Sequence, residues 1–128
     1  MTSGRTFTFR AILLAILPLT TWAESTLLSG YARDSVSPVQ LSRTAEDRLK
    51  IQYSMPPESL FHSPGIDFRI EGEVLRIAIR RCNIKETCNV MAKAVIPPAE
   101  AWRPEVTIHY GGQKVIMMYA DGEEQVYP

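Results

Sequence analysis

The chain has 128 residues, with 14 basic against 14 acidic side chains. That balance lacks the cationic excess a nucleic-acid binder needs to meet phosphates, so nucleic acid is not the expected partner. The length suits one domain, and two cysteines allow one disulfide.

The first segment carries Arg5 and Arg10 and no acid, then an apolar run over residues 11–17, then Pro18 and the small residues leading to Ala23. A basic end, a short apolar centre and a small residue at the break predict a secretory signal over residues 1–23, cleaved after Ala23. The run is shorter than the roughly 20 residues a spanning helix needs. No integral membrane segment is therefore expected after cleavage, and the mature chain is expected to be periplasmic or secreted. Without Arg5 and Arg10 its charges stand at 12 against 14, a net of −2.

Residues 24–47 read as an irregular segment with a short helix. Ser37-Pro38-Val39-Gln40 places a hydroxyl cap, a proline and a glutamine where a helix start uses them. From Arg48 onward a β domain is expected over residues 48–128. Leu49, Ile51 and Tyr53 alternate with polar neighbours, the period of a half-buried strand, and Pro56-Pro57 ends it. A second strand carries Ile66, Phe68 and Ile70 into the Glu71-Gly72-Glu73 turn. A third runs over residues 74–82, with Leu75, Ile77 and Ile79 on one face. A fourth runs over residues 88–96, up to Pro97-Pro98. Trp102 is expected to plug a core edge. A hairpin about Gly111-Gly112 and a last strand near Val126 complete the set. Close-set turns and six or seven short strands predict an all-β, mainly antiparallel domain. Its expected form is a small two-sheet sandwich, immunoglobulin-like in outline, and a small open barrel is the alternative.

Cys82 and Cys88 bracket five residues and are expected to form a disulfide that closes a hairpin. In that register Ile79 faces Met91 and Leu75 faces Val95 in the core, while Arg76 and Arg80 lie over alanines and reach outward. The charges support such a face: residues 69–93 hold six basic side chains against three acids. Ile84 and Lys85 sit at the loop tip. Because a pre-ordered loop loses little entropy on binding, Ile84, Lys85, Arg76 and Arg80 form the expected partner-binding set, with a protein as partner.

Other chemistry is thinner. His109 and Met118 share a face if the late hairpin forms, and with His62 they make a partial soft-donor site for copper; no metal site is favoured. There is no nucleophile elbow or phosphate-binding glycine loop, and a cysteine nucleophile would be consumed by the disulfide. The expectation is a non-catalytic accessory protein without a cofactor. A ligand pocket between the sheets, with Trp102 and Tyr53 at its mouth, is the remaining alternative.

Overall fold

The computed structural model describes residue 27 and residues 30–128. The signal segment expected over residues 1–23 lies outside the described residues. Within them one short helix, α1 (Arg33–Val36), precedes ten strands. These are β1 (Gln40–Ala45), β2 (Arg48–Gln52), β3 (Phe61–His62), β4 (Gly65–Glu71), β5 (Val74–Ile79), β6 (Cys82–Asn83), β7 (Ala92–Lys93), β8 (Glu105–His109), β9 (Lys114–Tyr119) and β10 (Gly122–Tyr127).

The strands form a three-stranded sheet in the order β1-β2-β8 and a five-stranded sheet in the order β10-β9-β5-β4-β7, with β3 and β6 paired separately. All pairs are antiparallel except β5 with β9. The inward residues of both sheets make one core: Leu49, Ile51 and Tyr53 from β2 and its end, Val106 and Ile108 from β8, Leu75, Ile77 and Ile79 from β5, Val115 and Met117 from β9. The sheets are also joined along one side. Val95 and Glu105 exchange both backbone hydrogen bonds, at 2.8 and 2.9 Å, so strand order continues from β8 into the chain beyond β7. On the other side β10 approaches β1. The all-β, mainly antiparallel class expected from the sequence is the one observed.

Three local expectations change. The helix start at Ser37 does not form: α1 ends at Val36, and β1 begins at Gln40. Pairing of residues 40–43 with residues 49–52 of β2 gives this stretch a ladder, which outweighs a cap pattern followed by the weak helix formers Ser42 and Thr44. The strand that opens the β fold thus precedes Arg48. Second, β8 and β9 are not a hairpin. Gly111-Gly112 instead carries the chain from one sheet to the other, where β9 lies parallel to β5, Leu75 beside Val115 and Ile77 beside Met117.

Third, residues 88–96 do not return along β5. That flank of β5 is filled by β9, so the chain passes to the far side of β4, pairing Ile66 with Ala92 and Gly65 with Lys93. The facing of the segment inverts as a result. Met91 and Val95, expected in the core, are 61% and 68% exposed, and Ala92 and Ala94 pack inward instead. Only small side chains fit there, because the strands approach closely: a Cβ on Gly65 would stand 2.0 Å from the Ala92 carbonyl oxygen.

The N-terminal segment closes one end of the core. Tyr31 and Val36 are buried between the sheets, Ala120 N–H donates to the Tyr31 carbonyl at 2.8 Å, and Ser54 N–H donates to that of Val36 at 2.9 Å.

Candidate functional site

The disulfide loop stands at that same end. Past Ile79 the chain leaves the five-stranded sheet, and β6 pairs with β3, His62 opposite Cys82 and Phe61 opposite Asn83. The ladder extends one step further, since Ile84 N–H donates to the Leu60 carbonyl at 2.9 Å. Asn83 then folds the tip: its side-chain oxygen accepts from Lys85 N–H at 2.8 Å, and its carbonyl accepts from Glu86 N–H at 3.1 Å. The Cys82–Cys88 disulfide joins the two arms. Asparagine supplies such a turn because its side chain mimics a backbone acceptor two residues back.

Two apolar side chains ride on this frame facing solvent. Leu60 is 53% exposed and Ile84 54%, and the ladder sets them opposite each other. Beneath them the Arg81 guanidinium lies 3.8 Å from the Phe61 ring centroid and bonds Glu58 through Nη2 at 2.6 Å. Arg81 holds the Glu58 carboxyl below its usual range, and Glu58 raises Arg81 in return. The same arginine passes over the Tyr31 ring, tying the loop to the N-terminal segment.

A second exposed apolar group belongs to the loop over residues 96–104, closed at its base by the Val95–Glu105 pair. Trp102, expected to plug a core edge, is 56% exposed; its backbone carbonyl accepts from Met55 N–H at 2.9 Å. Arg103 and Pro104 are the buried members of this loop. Arg103 donates to the Pro38 carbonyl, Ser54 Oγ and Gln40 Oε1 at 2.9–3.2 Å. The charged residue thus braces the loop from inside while the aromatic one faces out, the reverse of what hydropathy suggests.

Both loops lie at one end of the molecule. Tyr53, at the close of β2, bonds Ser63 just before β4 through their hydroxyls at 2.8 Å, and Ser63 N–H reaches Met55 Sδ at 3.3 Å. Leu60, Ile84, Val95, Ile96 and Trp102 are therefore grouped at this end, whereas the opposite end carries the polar turns at residues 46–47, 72–73 and 111–113.

Ile84 and Lys85 are exposed at the tip as expected. Arg76 and Arg80 are not free to reach outward. Arg76 bonds Glu71 through Nε at 2.9 Å and Glu123 through Nη1 at 3.1 Å. Arg80 Nη1 bonds Asp67 at 2.7 Å and the Asn89 carbonyl at 3.1 Å, and its Nη2 donates to Cys88 Sγ at 3.5 Å. Asp67 also accepts from Met91 N–H at 2.9 Å, so the pair anchors the outgoing arm of the loop. Carboxylates of β4 and β10 absorb the positive charge of this sheet face.

The donors weighed for copper are dispersed. His109 ends β8 in the three-stranded sheet, Met118 lies in the five-stranded sheet and His62 in the separate β3–β6 pair. Among the described residues no three His, Cys, Asp or Glu side chains are grouped to hold a metal ion. Tyr53, expected at the mouth of a pocket between the sheets, is wholly buried, Trp102 is exposed, and two open clefts among the described residues lie against β10, one beside Arg33 and Asp121 and one beside Lys114 and Gln125. Among the described residues no helix is long and apolar enough to cross a membrane. No family model matches the chain, and neither a curated protein nor a solved structure does.

Proposed function

We propose that this chain is an exported, periplasmic, non-catalytic accessory protein that binds a protein partner with its disulfide-loop end. The supporting observation is Leu60 beside Ile84, two large aliphatic side chains more than half exposed on a doubly braced tip. Aliphatic surface held rigidly in water gains by being covered, roughly 25 cal/mol per Å². A tip already ordered loses little further entropy when it docks. Lys85 adds a charge at the rim, where it affects association rate more than affinity. Arg76 and Arg80 play no direct part in this surface, because their guanidinium groups are engaged within the sheet. Export accounts for the basic-apolar-small leader and for a disulfide, which persists in oxidising compartments.

A photoreactive residue placed at Ile84 in the native host tests the proposal, with Thr107 on the exposed face of β8 as control. A protein adduct is expected from position 84 and not from position 107, and Leu60→Asp should abolish it. Equal adducts from both positions, or an adduct unchanged by Leu60→Asp, removes the loop from the account. Recovered chains are expected to begin at Glu24.

A further inference from the structure

The two sulfurs of the disulfide sit in different surroundings. Cys82 is 4% exposed and fixed by the β3–β6 ladder. Cys88 is partly exposed and receives the Arg80 Nη2–H at 3.5 Å. That contact does not depend on the bond between the sulfurs. Arg80 is held by Asp67 on one side and by the carbonyl of Asn89, the residue after Cys88, on the other. Neither anchor is a contact to the disulfide itself.

A donor aimed at sulfur favours its anion, and the thiolate is the form that reacts. We infer that Cys88 is the entry point of oxidation: the residue that carries the mixed disulfide with a thiol-disulfide exchange protein when the loop is closed. The Cys88 thiolate attacks one sulfur of the partner's disulfide. A bond between Cys88 Sγ and that sulfur forms, the partner's own S–S bond breaks, and its other sulfur leaves as a thiolate. Cys82 then loses its proton and attacks Cys88 Sγ. The Cys82–Cys88 bond forms and the partner's second thiolate departs. Two thiols of this chain are oxidised, one partner disulfide is reduced to two thiols, and the proton count balances. The order fits the geometry, since the less buried cysteine meets the incoming protein and the more buried one resolves the adduct from within.

Among the described residues, Arg80 and Asp67 lie beside Cys88, His62 stands opposite Cys82, and Lys85 and Glu86 belong to the closed loop itself. Asp67 is engaged by Arg80 Nη1, which leaves Nη2 for the sulfur. His62 is the rival, because its Nδ1 is buried without a hydrogen-bond partner and activation by it would favour Cys82 instead.

The experiment takes the reduced, folded chain and treats it briefly with sub-stoichiometric iodoacetamide, and separately with glutathione disulfide, locating each adduct by peptide mass. Cys88 is expected to carry about tenfold more label than Cys82, with the two equal in denaturant. In Cys82→Ser, the thiolate absorbance of Cys88 should titrate below the ordinary thiol range, and Arg80→Gln should return it there without changing the far-ultraviolet circular dichroism. Labelling of Cys82 at an equal or greater rate overturns the inference. So does an ordinary or raised titration of Cys88, or one indifferent to Arg80→Gln.

Discussion

The Asp67 carboxylate makes two contacts that differ in kind, a charged one to Arg80 and a neutral one to Met91 N–H. Both partners of the ion pair are mostly covered, so removing one charge strands the other where water reaches it poorly. Asp67→Asn keeps an acceptor for Met91 N–H and loses the charge; it should cost about 1–3 kcal/mol by urea denaturation. Asp67→Ala should cost more and open residues 88–91 to proteolysis. Tyrosines give a second test at this scale. Burial pushes Tyr31, Tyr53 and Tyr119 each up to about 12. Their folded values exceed the unfolded value of about 10, so the neutral form is favoured in the fold. The stability they contribute is complete below about pH 10 and is lost as pH rises through about 12. Near-ultraviolet absorbance should show Tyr31, Tyr53 and Tyr119 ionising late, together with unfolding.

At the scale of elements, the joint between β4 and β7 is tight, closer at Gly65 than at any other described glycine. Gly65→Ala drives a methyl into the Ala92 carbonyl and should cost roughly 2–3 kcal/mol, read from the urea midpoint, while Gly72→Ala, in an open turn at φ +65°, should cost about 1. Strand faces were legible in the sequence because alternation is a local property: Leu49/Ile51 and Leu75/Ile77/Ile79 point inward as expected. Strand partners were not. Whether residues 88–96 lie beside β5 or β4 depends on β9 having taken the first place, and β9 arrives about 40 residues after β5. Of the candidate site, Ile84, Lys85 and the disulfide were legible, since a closed loop must present its tip. Leu60 was not: its exposure follows from the β3–β6 ladder, and two strands of two residues leave no periodic mark. Nor were the partners of Arg76 and Arg80: Glu71 and Asp67 come from the neighbouring strand β4, and Glu123 arrives 47 residues after Arg76.

Across the molecule, the disulfide and the core are separate sources of order. Closing a seven-residue loop stabilises a chain by about 2–2.5 kcal/mol in the chain-entropy account. Cys82→Ser and Cys88→Ser should each lower stability by that amount. Amide exchange should quicken only over residues 82–91, leaving β2, β5 and β9 protected. Exchange spreading into those central strands would mean that the loop helps to hold the core.

The burial of Tyr31 and Val36 between the sheets sets a timetable for the growing polypeptide. Val36 can meet Ser54 once β2 is formed, but the segment cannot complete its docking until β9 and the turn after it exist, because Ala120 supplies the amide that grips Tyr31. A chain that emerges amino end first must therefore wait for its tail before its head can settle. Folding then concludes with the earliest residues closing over the last to arrive.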